Sequence, residues 1–135
     1  MLAKDIMTKE TIKINPQTSV IKAIDLLLEN RISGLPVVDD DLHLVGVLSE
    51  KDLLGILFEK NIDVDAPVER YMTQKVIRFD EKDNVADICE VFLKQNIRRV
   101  PIVEDGRLVG IISRRDVLRM ILATVLDLKE SRRPT

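Results

Sequence analysis

The chain is written twice. Sliding its 135 residues by 65 lays Ile6-Met7-Thr8 on Tyr71-Met72-Thr73, Val20 on Val85, Leu28 on Leu93 and Ile32 on Ile97. The same shift lays Leu35-Pro36-Val37-Val38 on Val100-Pro101-Ile102-Val103. A one-residue deletion then shortens the offset to 64, and Leu44-Val45-Gly46-Val47-Leu48-Ser49 meets Leu108-Val109-Gly110-Ile111-Ile112-Ser113. Asp52 meets Asp116, and Leu54 meets Leu118. Fifteen identities fall in register over about fifty positions, so the duplication is secure. An internal repeat constrains the fold before any other feature, because the repeated unit is what must form a supersecondary structure.

Each copy reads as strand, helix, strand, strand, helix. In the first, Thr11-Ile12-Lys13-Ile14 alternates like a short strand and Pro16 stops it. Thr18 or Ser19 then caps a helix through Asn30, with Val20, Ile21, Ala23, Ile24, Leu27 and Leu28 at helical spacing. Leu35 to Val38 is a strand of buried type, Asp39-Asp40-Asp41 a polar turn and Leu44 to Leu48 the second arm of a hairpin. Ser49 opens a helix to about Phe58. In the second copy the strands are Lys75–Phe79, Val100–Val103 and Arg107–Ile112, with Asp105-Gly106 as turn. Its helices run from near Asn84 to near Gln95 and from Ser113 to about Leu126. The polar stretch Glu59–Pro67 reads as a linker and Lys129–Thr135 as a loose tail.

A unit of about 60 residues buries only about 60% of its unfolded surface and is marginal alone. The expected class is therefore α/β (α+β): two β-α-β-β-α repeats, residues 1–62 and 63–126, related by a pseudo-twofold axis and packed through their sheets, with 127–135 as a flexible tail. Such pairing creates two clefts between the copies, and clefts at junctions are where ligands are found.

Charge narrows the function classes. With 21 basic and 23 acidic side chains the net is -2, which argues against a protein that coats nucleic acid or an anionic membrane. No uncharged run exceeds eight residues, far short of a spanning helix. Met1-Leu2-Ala3-Lys4-Asp5 carries no signal-length apolar stretch, and the lone Cys89 excludes an internal disulfide. A soluble, cytoplasmic protein is expected. The halves differ, however: residues 1–65 net -5 and residues 66–135 net +3, with ten of the eleven arginines in the second half.

The sharpest constellation is Gly46-Val47-Leu48-Ser49-Glu50-Lys51-Asp52 and its echo Gly110-Ile111-Ile112-Ser113-Arg114-Arg115-Asp116, each where a strand hands over to a helix. Ser followed three residues later by an acid is a capping box, and it serves structure alone if nothing else is present. The same carboxylate, beside exposed helix N–H groups, also suits the vicinal diol of a ribose, and the neighbouring helix start favours an anion.

Two repeats with a Met-Thr start, a mid-repeat Leu/Val-Pro-Val/Ile-Val strand and Leu-Val-Gly, two apolar residues and Ser-x-x-Asp resemble a tandem pair of cystathionine-β-synthase-type (CBS) domains, often called a Bateman module. The resemblance covers residues 1 to about 126 and implies adenosine-ligand sensing: AMP, ADP or ATP, less commonly S-adenosylmethionine or NAD. It implies one site built from Ser49, Asp52, Val76, Ile77, Ile97, Arg98, Arg99 and Pro101, with Asp52 on the ribose, apolar side chains around adenine and Arg98 with Arg99 toward phosphate. It implies a second from Thr11, Ile12, Ile32, Ser33, Gly34, Pro36, Ser113, Arg114, Arg115 and Asp116. Since Ser33-Gly34 replaces Arg98-Arg99, the Asp52 site is expected to take the more anionic ligand, and the Asp116 site a less charged adenosine compound or none. Two such modules commonly pair into a disc in this family, so a homodimer signalling to an effector protein is expected.

Other residues offer less. His43 lies in the hairpin turn with no second histidine to share a metal. Cys89 sits on an apolar helix stripe in place of Ile24, and Met7 and Met72 read as core. Tyr71, Phe58, Phe79 and Phe92 form no stacking row for nucleic acid. No nucleophile–base–orienter set and no Gly-rich phosphate loop appear, so no catalysis is expected. The competing readings are a ligand-free dimerisation or protein-interaction scaffold and, more weakly, a nucleic-acid accessory using Arg132-Arg133.

Overall fold

A computed structural model describes residues 1–132 and divides them into two compact units. Unit I holds Ile12–Ile77 and Asp105–Leu108; unit II holds Met1–Thr11, Arg78–Glu104 and the chain from Val109 onward. The units are therefore cut differently from the sequence repeats: the opening eleven residues belong with the second copy.

In unit I, α2 (Val20–Asn30) starts at Ser19, whose hydroxyl accepts from Lys22 N–H. It buries Val20, Ala23 and Leu27, one helical stripe. Arg31 ends it in the left-handed region (φ 51°), donating back to Leu27 and Leu28 carbonyls. Strands β1 (Gly34–Val38) and β2 (Leu44–Ser49) form an antiparallel hairpin with Leu35 opposite Leu48 and Val37 opposite Gly46. β1 is buried at four consecutive positions, whereas β2 alternates buried and half-buried. Ile14, Leu35, Val37, Leu48 and Val68 complete the core with α2.

In unit II, β3 (Phe79–Asp80), β4 (Arg99–Glu104) and β5 (Arg107–Ser113) form a three-stranded sheet, with β3 parallel to β4. Asp105 and Gly106 both take positive φ, as a two-residue hairpin turn requires. The helix α4 (Val85–Lys94) lays Val85, Ile88 and Phe92 on Val100, Ile102 and Ile112. Cys89 packs partly buried at the margin of this core, as its stripe position predicts.

Several expected elements change. The strands expected at Thr11–Ile14 and Lys75–Phe79 shrink to one bridge at Ile14 and to the two residues of β3. The cause is the proline of the neighbouring strand. Ile14 donates to Pro36 O and accepts from Val38, but the next rung would need an N–H that Pro36 lacks. Pro101 stands at the same place beside β3. The expected linker is docked rather than loose: Val20 donates to Ala66 O, Val68 to Thr18 O, and Ala66 and Val68 are buried. Its counterpart is the short helix α1 (Ala3–Ile6), where Ala3 fills the position of Val68 and both are fully buried.

The final helices also diverge. After α3 (Glu50–Leu54) the first copy tightens to a 3₁₀ turn, Gly55–Phe58, since glycine is a poor helix former. Arg119 replaces Gly55 in the second copy, and α5 (Arg114–Ser131) runs on for 18 residues. Residues 127–131, expected as a flexible tail, are thus helical, with Ser131 bonded back to Asp127 O. Residues 133–135, including Arg133, lie outside the described residues. No helix is long and apolar enough to cross a membrane among the described residues.

Candidate functional site

The repeated motifs converge on one device, built once in each unit. In unit I, Ser49 caps α3: its hydroxyl accepts from Asp52 N–H at 3.2 Å, and Asp52 Oδ2 accepts from Ser49 N–H at 2.9 Å. The other carboxylate oxygen, Oδ1, lies 3.3 Å from the Thr73 hydroxyl. Thr73 is held there by a two-way main-chain bridge to Val47, 2.9 Å in each direction. That approach needs Gly46, where a Cβ would stand 2.9 Å from both Met72 Sδ and Thr73 O.

Unit II repeats the arrangement with Met7-Thr8 in place of Met72-Thr73. Ser113 caps α5, Asp116 Oδ2 accepts from Ser113 N–H at 2.8 Å, and Thr8 exchanges main-chain bonds with Ile111. The Thr8 hydroxyl reaches Asp116 Oδ1 at 3.4 Å, and a Cβ on Gly110 would come within 2.7 Å of Met7 Sδ. Asp116 lines a cavity of about 350 Å³ with Ile6, Arg119, Met120 and Thr124. Each aspartate therefore spends one oxygen on its cap and turns the other toward a threonine. Thr8 and Thr73 are candidate site residues that the sequence places only as part of a repeated Met-Thr start; that repetition is the available signal.

The predicted residue sets fall as follows. Ser49, Asp52, Val76 and Ile77 belong to unit I, while Ile97, Arg98, Arg99 and Pro101 belong to unit II. Thr11, Ser113, Arg114, Arg115 and Asp116 belong to unit II, while Ile12, Ile32, Ser33, Gly34 and Pro36 belong to unit I. Ile12 and Ile77 are large apolar side chains left 37% and 36% exposed, a state suited to receiving a flat apolar surface. Pro36 and Pro101 are buried and Ile97 packs on its unit's core, whereas Arg98, Arg99 and Arg115 are exposed.

Arg114, a member of the second expected set, also has a role within its own unit. Its Nε donates to Ile97 O at 2.9 Å, and Nη2 reaches Phe92 O and Gln95 O at 3.2 and 3.3 Å. Its guanidinium also lies 6.0 Å from the Phe92 ring centroid. It therefore closes the carboxyl end of α4, where a cation suits both the unpaired carbonyls and the helix dipole.

The hairpin turn behaves as read. Asp39 Oδ1 accepts from Asp41 and His43 N–H at 2.9 Å each, and Oδ2 lies 3.3 Å from His43 Nδ1. Burial alone would raise the Asp39 pKa, but the amides of His43 and Asp41 outweigh it and hold it below the ordinary value. Tyr71 is raised, mainly by donating its hydroxyl to Glu59 at 2.8 Å.

Comparison with known proteins places this geometry. A family model described as the CBS domain matches residues 3–59 and again 68–123. The chloroplastic CBS domain-containing protein CBSX1 of Arabidopsis thaliana is 34% identical over 137 residues, covering 81% of this chain and 58% of that protein. A crystal structure of CBSX2 in complex with AMP superposes with a TM-score of 0.81 and 35% identity, over 91% of this chain and 97% of that one. The CBS domain pair of protein MJ0100, solved with 5′-methylthioadenosine and S-adenosyl-L-methionine, gives 0.76 and 31% over 92% and 98%. This chain spans 42%, 71% and 58% of the length of the first three curated relatives. Two family matches, one on each copy of the repeat, show that the chain belongs to the CBS domain family as a tandem CBS pair.

Proposed function

We propose that this chain is a regulatory, non-catalytic module of the cytoplasm that binds adenosine nucleotides, AMP, ADP or ATP, or a related adenosyl ligand, and passes that state to an effector protein. The observation that carries the reading is the Asp52 carboxylate: fixed by its own cap, turned with Oδ1 away from that cap, in the same unit as the exposed apolar Ile77. Asp52 is proposed as acceptor for the ribose hydroxyls, Val76 and Ile77 as purine contacts, and exposed Arg98 and Arg99 as partners for phosphate. The AMP complex of CBSX2, at 35% identity, supports a nucleotide, and the MJ0100 complexes extend the class to other adenosyl compounds.

A thermal-shift panel tests this. At a ligand concentration about 100 times Kd, stabilisation is about 2.7 kcal/mol, several degrees for a chain this size. A clear shift with AMP, ADP or ATP is expected; flat traces with these and with S-adenosylmethionine and NAD favour the interaction-scaffold reading instead.

The same module is proposed to pair with a second copy. On α5, Leu118, Ile121, Leu122, Val125 and Leu126 recur at steps of three and four and are 42–63% exposed. Unit I carries Leu54, Leu57 and Phe58, exposed by 70%, 76% and 88%. Apolar stripes of this kind call for a covering partner. Size-exclusion chromatography with light scattering is expected to give twice the 15.4 kDa chain mass; a monomer at high concentration removes the pairing.

A further inference from the structure

Asp52 and Asp116 occupy the same place in the repeat but do not keep the same company. An ionised carboxylate offers about four lone-pair sites, and a vicinal diol needs two of them. Among the described residues, Asp52 accepts from two donors, Ser49 N–H and the Thr73 hydroxyl. Asp116 accepts from four. Ser113 N–H and hydroxyl lie 2.8 and 3.0 Å from Oδ2, the Thr8 hydroxyl 3.4 Å from Oδ1, and Arg119 Nη1 3.0 Å from the same Oδ1. Asp52 keeps room for a diol, and Asp116 is full.

The hydroxyl donors rotate off their lone pairs at small cost. The guanidinium does not, because its bond to a carboxylate is charge-assisted and the stronger kind. Arg119 is also peripheral to the core: its side chain is 69% exposed, while that of Asp116 is 10% exposed. It lies over a nearly buried carboxylate from outside. The first copy has Gly55 at this position, with nothing within 4 Å of where a Cβ would stand. Of the two extra donors on Asp116, the Ser113 hydroxyl and Arg119, only the arginine is charged, and a side chain begun at Gly55 would meet open space.

We propose that Arg119 is a specificity residue of the second aspartate: it holds the oxygen that a sugar diol would use, so Asp116 accepts a nucleoside well only when the ligand also brings an anionic group to receive the guanidinium. This rests on the reading of both aspartates as diol acceptors. A phosphate is a bidentate partner for arginine and releases Asp116 in exchange; an uncharged nucleoside offers nothing for it. The ligand class is thus nucleotides over nucleosides, the reverse of the expectation drawn from the missing Arg98-Arg99 pair in the first copy.

Adenosine and AMP, titrated calorimetrically into four variants, test this. In an Asp52→Ala background, Arg119→Ala is expected to strengthen adenosine binding about fivefold, the upper range for an exposed ion pair, and to leave AMP unchanged or weaker. In an Asp116→Ala background, Gly55→Arg is expected to weaken adenosine about fivefold and AMP less. Thermal melts check that each variant is folded. If AMP binds the wild type while neither arginine exchange changes the AMP-to-adenosine ratio, the role of Arg119 is overturned and the proposed function stands. Loss of all binding in Asp52→Ala, with or without Arg119, overturns it likewise. If the wild type binds neither compound, this inference falls, and the proposed function falls with it when ADP, ATP, S-adenosylmethionine and NAD fail as well.

Discussion

Asp52→Ala is expected to weaken AMP binding by ten- to a hundredfold while leaving the protein folded. A hydrogen bond to a charged group contributes about 1.5–3 kcal/mol, and each 1.4 kcal/mol is roughly a factor of ten in Kd. The diol makes two such bonds to the carboxylate, and water recovers part of the loss in the truncated site. The fold also loses something: Ser49 N–H and the Thr73 hydroxyl each lose an acceptor. Removing a cap of this kind costs about 1 kcal/mol, a shift of several degrees in Tm. Affinity and stability therefore separate, provided titrations are run well below the melting range. Asp52→Asn gives a second handle: its side-chain oxygen still caps the helix, but its amide group is a donor where the diol needs an acceptor. It is expected to melt close to wild type and still bind weakly. Wild-type AMP affinity at undiminished stoichiometry in both variants would take Asp52 out of the site altogether.

The parts of this fold legible from residue order were those governed by local chemistry. Ser-x-x-Asp specifies its own capping box, and both boxes form as spelled. Asp105-Gly106 specifies a tight turn, and apolar spacing specifies α2 and α4 to within a residue or two. The misreadings came where a partner decides. Thr11–Ile14 has the alternation of a strand, but a strand exists only as far as its neighbour can pair, and Pro36 stops the pairing. Partners also add what spacing does not show: Arg114, expected beside a ligand, gathers the carbonyls of Phe92, Gln95 and Ile97 around it. The same holds at the candidate site. Asp52 and Asp116 were found from spacing, whereas Thr8 and Thr73 reach them across 108 and 21 residues of chain. The duplication held the missing clue. A Met-Thr pair repeated with the Gly-x-x-Ser-x-x-Asp run suggests that the two motifs meet, and the glycine is what lets them.

Gly46→Ala and Gly110→Ala are expected to be among the most disruptive single-methyl changes in the chain, and Gly34→Ala one of the mildest. At Gly46 the added carbon would meet Met72 Sδ at 2.9 Å and Thr73 O at 2.9 Å. The thioether moves aside readily, being flexible. The carbonyl cannot, because it accepts from Val47 N–H in the bridge that seats Thr73. Either the rung breaks or β2 bends away, so an overpacking cost of about 1–3 kcal/mol adds to about 1 kcal/mol for the lost hydrogen bond. Gly110 is as tight, with Met7 Sδ at 2.7 Å and Thr8 O at 3.0 Å. At Gly34 the nearest atom is Leu48 O at 3.4 Å, an ordinary contact, and alanine there also restricts the unfolded chain. Thermal melts should therefore show losses of roughly 7–14 °C at 46 and 110 and little change at 34. Because Gly46→Ala pushes Thr73 off Asp52, it should also weaken AMP binding at temperatures where the protein is still folded. Coincident melting curves for all three variants would mean that the Met-Thr segments are not locked against β2 and β5, and the aspartates would lose the support that fixes their outward oxygen.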